Sequence, residues 1–399
     1  MAKIKNIKGR QVFDSRGNPT IEAEVFTENG SAFSIVPSGA STGTHEAFEL
    51  RDKGKKDYLG KSVFSAISNI NNLMSKALKN IEISDQTKID KILIELDGTD
   101  QKKKLGANAI LGVSMACCKL AAIEKKIPLY KYLSKNNDYL IPIPLLNIIN
   151  GGVHAKNNLD IQEFMIRPEN TNSFSEAMRR SFIIIQNLKK MLIDTNVGDE
   201  GGFAPNLNSN EEAIKMIIKS IEKSGFEPGN DISICLDIAA NELKQSKTVE
   251  YFLNLINKYP IKSIEDPFSE DDWQSWNKLT KNTNIQIVGD DLFATNLKRL
   301  KKGIDEHSAN AILVKLNQIG TVSETLQVID LAQKNNFKTI ISHRSGDSED
   351  TFIADLCVAT KSSQIKSGSL ARSERVSKYN RLLRIEDGLG KSAKMAKIL

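Results

Sequence analysis

Six short apolar, β-branched runs in the second half of the chain each end in a polar residue. They are ISICLD, ending at Asp237, then IKSIE at Glu265, IQIVGD at Asp290, AILVK at Lys315, KTIISH at His343 and QIK at Lys366. The steps between those end residues are 28, 25, 25, 28 and 23 residues. Each step holds one strand, one helix and two loops. Residues 321–333, for example, follow Gly320 and place Val322, Leu326 and Ile329 at helical spacing. Strands alternating with helices predict a parallel sheet. Residues 160–166 (DIQEFMI) offer a further strand, and residues 196–200 (NVGDE) a strand end or loop. A sheet of that size predicts a closed (β/α)8 barrel of the TIM type over residues 139–399. Such barrels carry their chemistry at the C-terminal strand ends.

The first part of the chain reads differently. Residues 20–26 (TIEAEVF) alternate, Gly30 sits in a turn, and residues 32–36 pair back. Residues 61–78 and 107–122 carry helical patterns, the second apolar enough to be buried. Residues 1–135 are predicted to form a smaller α+β domain in front of the barrel. The boundary falls in the polar stretch after Ser134, before Pro142 and Pro144.

Composition narrows the class. Of 399 residues, 40% are hydrophobic and 26% charged, the balance of an ordinary globular protein. The net charge is 55 − 49 = +6, but the lysines are scattered without interleaved aromatics. They read as solvated surface, so no direct nucleic-acid binding is expected. The N-terminus (MAKIKNIKGR) shows no apolar leader and no membrane span is expected, which predicts the cytosol. Cys117, Cys118, Cys235 and Cys357 sit in apolar runs with no C-x-x-C and read as buried thiols.

Three successive strands end in Asp237, Glu265 and Asp290. Adjacent strands lie about 4.8 Å apart, so these carboxylates face one another. Singly, each would cap a helix or pair with a lysine. Together they call for a cation, and hard oxygen ligands suit Mg²⁺. Lys315 follows in an apolar run; it is either a barrel ion pair or, beside a metal, a base of depressed pKa. His343, Arg344, Ser345 and Lys366 add donors for a dianionic substrate, and Glu163 and Glu200 add acids from the opposite wall. The Gly/Ser-rich residues 37–43 lack the Gly-Lys-Ser/Thr of a P-loop. They form either a connector or a lid over the barrel mouth. Residues 150–154 (NGGVH) form either a turn or a second mobile loop carrying His154.

Taken together, these segments resemble the enolase family, of the bacterial type. The matching stretches are DSRGNPT (14–20), VPSGASTGTHEA (36–47), KLGANAILGVS (104–114), NIINGGVHA (147–155), DIQEFMI, VGDEGGFAPNL (197–207), SIEDP, GDDLFATN, KLNQIGT, SHRSG and QIKSGS with RSER. They span almost the whole chain. The resemblance implies a phosphopyruvate hydratase, a hydro-lyase of glycolysis that reversibly dehydrates 2-phosphoglycerate. It implies Lys315 as the base at C2 and Glu200, helped by Glu163, as the acid at C3. It implies Asp237, Glu265 and Asp290 as ligands of one Mg²⁺, and Ser41 as the lid ligand of a second that arrives with substrate. Arg344 and Ser345 would bind phosphate, with Gln162, His154, His343 and Lys366 as further substrate contacts. A homodimer or larger homo-oligomer is also implied, with Glu22 and Arg384 paired across the interface.

Two departures stand out. Only 27 residues separate Asp237 from Glu265, a shorter link than the family usually has. Near Ile183, where the family usually has an acid that pairs with an arginine like Arg10, the chain reads Phe-Ile-Ile-Ile. A different metal-assisted proton abstraction would leave Ser41, Arg344 and Lys366 together unexplained. An idle scaffold would have lost one of the catalytic groups, and none is lost.

Overall fold

The computed structural model describes residues 2–39, 43–54, 56–136 and 138–398. The chain starts with an antiparallel sheet of β1 (Asn6–Phe13), β2 (Pro19–Phe26) and β3 (Ser31–Ile35), in the order β1-β2-β3. Alternation along β2 buries Ile21, Ala23 and Val25 on one face. Helix Ala107–Glu124 packs on that face, and its Gly112 lets the backbone come close to Ala23 and Val36. This helix is long and apolar enough to cross a membrane by length and composition, but 83% of it is buried inside the fold. Residues 64–78 are helical throughout, with a π-turn at Asn69–Met74, and bury Ala66, Ile70, Met74 and Leu78.

The rest of the chain closes into a barrel of β4 (Ile143–Asn150), β5 (Glu163–Pro168), β6 (Ile232–Asp237), β7 (Ile261–Glu265), β8 (Gln286–Gly289), β9 (Ala311–Val314), β10 (Lys338–Ser342) and β11 (Gln364–Lys366). Its order is β10-β11-β4-β5-β6-β7-β8-β9. The eight strands are those of the expected fold, with one refinement: β5 runs antiparallel to both β4 and β6. Only a 3-10 turn (Gly152–His154), and no α-helix, separates β4 from β5, so the chain turns back as a hairpin instead of crossing over. Glu163 therefore reaches the upper rim from the start of its strand. Six of the barrel helices begin on side-chain caps. Ser173, Ser209, Thr248, Asp272, Asn296 and Thr321 each accept a backbone N–H of the first turn.

Alternate residues of each strand enter the barrel. At mid-height Leu145, Met165, Cys235, Val288, Leu313 and Ile340 form a buried apolar cluster of their own. The small domain is fastened above by polar contacts. The Asp90 carboxylate accepts from the Ser323 N–H at 2.9 Å, Ser114 Oγ accepts from the Val322 N–H at 3.0 Å, and Lys119 pairs with Asp350 at 2.7 Å.

Candidate active site

The strand register sets the site. Glu163 on β5 lies opposite Asp237 on β6, and Asp237 opposite Glu265 on β7. The Lys366 ammonium, from the end of β11, sits among them. It is 2.9 Å from Asp237, 2.8 Å from Glu265 and 3.1 Å from Glu163. Burial disfavours its charge, yet Asp237, Glu163 and Glu265 hold its pKa well above the ordinary lysine value. Glu265 is itself pushed well above the carboxylate range, by burial first and then by Asp237. Glu163 is raised likewise, by burial and then Glu200, and its Oε2 is buried with no hydrogen-bond partner.

Asp290, just beyond β8, pairs with Lys315, just beyond β9, and accepts from Gln318 at 2.9 Å. Burial alone would lower the Lys315 pKa, but the Asp290 carboxylate holds it raised. The expected depression is therefore absent here, because the ion pair outweighs desolvation. Asp266 is part of the floor rather than a free ligand. Its carboxylate accepts from the N–H groups of Asp290 at 2.8 Å and Asp291 at 2.9 Å, bracing that turn. Oxygens of Asp266, Asp290 and Asp291 lie within 4.8 Å of one another, and Asp291 is pushed up to about 7 by burial and Asp290.

Glu200 lies in a turn, not at a strand end. Gly201 (φ +81°) and Gly368 (φ +63°) make that turn possible. A Cβ on Gly201 would meet the Ala371 carbonyl at 2.6 Å, and one on Gly368 the Glu200 carbonyl at 2.5 Å. Burial would raise Glu200, but His154 (3.7 Å) and His343 (3.5 Å) hold it well below the usual range. His154, Glu163 and Glu200 form one tight group. His343 is pushed down to about 4 by burial. Arg375 stands behind it, 2.6 Å from Nδ1. An arginine only donates, so Nδ1 accepts and Nε2 carries the proton toward Glu200.

Gln162 points its amide at Asp237 (3.5 Å), with its carbonyl oxygen buried and unpartnered. Arg344 donates to both oxygens of Glu46, at 2.9 and 3.2 Å, and to Asn317 at 3.0 Å. Ser345 lines the same cavity. Glu163, Glu200, Asp237, Asp290, Lys315, His154, His343, Gln162, Arg344, Ser345 and Lys366 are thus gathered around one cavity, with Glu265 bonded in from β7 through Lys366. Ser41 lies outside the described residues. Sequence reading passed over Glu46, Asp266, Gln318 and Arg375 as site residues. Each lies in one of the segments quoted above, so the signal was present but was not attached to a role.

Comparison with known proteins decides the family. The model of the enolase N-terminal domain matches residues 4–133, and that of the enolase C-terminal TIM barrel domain matches residues 138–254 and 242–398. A curated enolase of Pelagibacter ubique (strain HTCC1062) is 61% identical over 417 aligned positions, covering 100% of both chains.

The chain belongs to the enolase family.

It is a carbon–oxygen lyase that reversibly dehydrates 2-phosphoglycerate to phosphoenolpyruvate in glycolysis. The alignment is 417 − 399 = 18 positions longer than the chain, so gaps fall within it. The two stretches of the barrel match overlap at residues 242–254, between Asp237 and Glu265.

Proposed function

We propose that this rim performs the enolase reaction with Lys315 as the base at C2 and Glu200, assisted by Glu163, as the acid at C3. Removal of a proton beside a carboxylate makes a doubly charged carboxylate-like anion. Its stabilisation needs positive charge where that charge develops. Arg344 and Ser345 would hold the phosphate, and Gln162, His154, His343 and Lys366 would fix the rest of the substrate. Lys315 must be neutral to accept a proton, and its pairing with Asp290 opposes that. An Asp290 engaged by a metal ion would release it. Glu200, held ionised between two imidazoles, accepts its proton before it can give one up.

The residues fit a hard divalent cation. The cavity lining carries seven carboxyl groups (Glu46, Glu163, Glu200, Asp237, Asp266, Asp290, Asp291) against three fixed cations (Lys315, Arg344, Lys366), a surplus of four acids before the histidines. Burial with neighbouring acids drives Glu163, Asp266 and Asp291 above the usual carboxylate range. That surplus of acids is the observation that supports the reading best. Asp237, Glu265 and Asp290 would hold one Mg²⁺, and Ser41 would join a second that comes with substrate. Bound there, Mg²⁺ would supply Lewis-acid stabilisation for the substrate carboxylate.

The test is absorbance at the phosphoenolpyruvate band with 2-phosphoglycerate, with and without Mg²⁺. Activity should need Mg²⁺, and Asp290→Ala should raise the Mg²⁺ concentration required. Undiminished turnover in excess EDTA would remove the carboxylate cluster from the mechanism.

Family likeness also supports a homodimer, or a larger assembly of dimers, working in the cytosol. The Glu22–Arg384 pair is a poorer basis for it, because Glu22 accepts from Arg10 within the chain and Arg10 also donates to Glu24. The arginine is satisfied without a partner subunit. Apolar contact through exposed Phe182 is the remaining candidate at that helix. Sedimentation showing only monomer at micromolar concentration would exclude the dimer.

A further inference from the structure

The lower end of the barrel holds a second cavity, of about 460 Å³. Ser233, Lys262, Gln286 and Lys338 line it from the first or second positions of β6, β7, β8 and β10. Arg167 lines it from near the end of the reversed strand β5. The mid-height apolar cluster of Leu145, Met165, Cys235, Val288, Leu313 and Ile340 lies between this cavity and the catalytic rim.

Its lining carries three cations, Arg167, Lys262 and Lys338, against one acid, Glu169. That acid is already engaged: Arg167 Nε donates to Glu169 at 2.7 Å, and Nη1 donates to Gln364 at 3.2 Å. Arg167 is only 3% exposed, and among the described residues no hydrogen bond reaches its Nη2. Ser233 Oγ is buried in the same wall with no hydrogen-bond partner. No carboxylate of the described residues pairs with Lys262 or Lys338. The spare Arg167 donor is left to the cavity, and a buried unpaired hydroxyl such as that of Ser233 is a costly arrangement unless a ligand completes it.

We propose that this basal cavity is a binding site for a compact oxyanion of phosphate or carboxylate type. Arg167 and Ser233 would take the anion at the floor, the arginine through its fixed planar donors. Lys262 and Lys338 would close around it at the mouth. No residue of the dehydration site takes part.

The site is tested on the full-length, Mg²⁺-loaded protein by methyl NMR of Ile285 and Ile398, which both line the cavity. One titration uses inorganic phosphate and a second uses malonate, each against chloride at equal ionic strength. Saturable shifts of both methyls are expected, and the anion that gives the tighter curve names the class. The double variant Lys262→Gln/Lys338→Gln removes two of the three cations from partly exposed positions. It should weaken binding about tenfold or more, with kcat unchanged as proof of an intact fold. Ser233→Ala should weaken it further at constant kcat. Shifts that do not saturate with either anion would overturn the proposal. So would equal affinity in the double variant, the mark of a bulk salt effect.

Discussion

The rim and the middle of the barrel are built by the same strands, two residues apart. Cys235 precedes Asp237, Val288 precedes Asp290, Leu313 precedes Lys315, and Met165 follows Glu163 on the reversed strand. One member of each pair enters the apolar layer and the other lines the rim cavity. Middle residues have to match in volume, and similar side chains can replace them. Rim residues have to match in charge and donor type. They also work against stability, since Glu163 and Glu265 are buried near other acids and are driven above their normal range. A period-two strand therefore separates stability from chemistry at adjacent inward positions. Substitutions in the two layers should differ in kind.

The largest effects belong to the rim. Lys315→Ala should abolish both turnover and exchange of the C2 hydrogen with D₂O. Glu200→Gln should lose turnover but keep C2 exchange, because the proposed base, Lys315, is untouched. Each loss should be about 10²–10⁴-fold, the scale for removing a general acid or base. NMR of substrate in D₂O separates the two. Wild-type exchange in Lys315→Ala would remove that lysine from the role of base.

Leu313→Ala tests the other layer of the same strand. Leu313 is fully buried, and its truncation should cost about 2–5 kcal/mol, seen as a lower midpoint in urea. Chemistry should survive at low temperature, because the Lys315 backbone stays tied through its N–H to Thr295 Oγ1 at 2.9 Å. A variant of normal stability that had lost C2 exchange would break the division between the layers.

Which parts of this were legible follows from range. Six barrel strands could be read because each apolar run ends in a polar residue at a near-constant step. The reversal of β5 could not, since alternation carries no strand direction; it follows from the helix missing after β4. Asp237, Glu265, Asp290, Lys315, His343 and Lys366 were readable as a rim for the same periodic reason. Residues 196–200 read equally as a strand end or a loop; Glu200 sits in a turn that exists because two glycines 167 residues apart allow close packing (368 − 201 = 167). The pairing of Arg344 with Glu46, separated by 298 residues, has no local signature at all. Nor has the Arg375 contact that sets the His343 tautomer.

His343 allows the cost of the rim to be measured by pH. Its folded pKa is about 4, below the usual 6.5, mainly through burial. Between those values the unfolded chain binds a proton that the folded chain refuses. Stability should therefore fall as pH drops through 6.5 toward about 4. At about 1.4 kcal/mol per pH unit the full window is worth about 3 kcal/mol. Urea titrations at several pH values should show that slope in the wild type and a shallower one in His343→Gln. Equal slopes would place the acid sensitivity on a group other than His343. It could not be Asp291, because a carboxyl pushed up to about 7 by burial and Asp290 takes its proton more readily in the folded chain and gains stability as pH falls.

The smallest effect should come from the bottom of the barrel. Ser233 and Leu313 are both fully buried, but Ser233 Oγ has no hydrogen-bond partner. Truncating Leu313 discards packing, whereas Ser233→Ala discards a hydroxyl that contributes no bond and pays a desolvation penalty. Removing an unsatisfied buried polar group is neutral or stabilising. The urea midpoint of Ser233→Ala in phosphate-free buffer should thus be unchanged or slightly raised, by no more than about 1 kcal/mol. Raising phosphate should reverse the order, because a bound anion stabilises the folded state of the protein that binds it better. A loss in phosphate-free buffer as large as that of Leu313→Ala would mean that the hydroxyl serves the fold, and that the lower layer is structural in the same sense as the middle one.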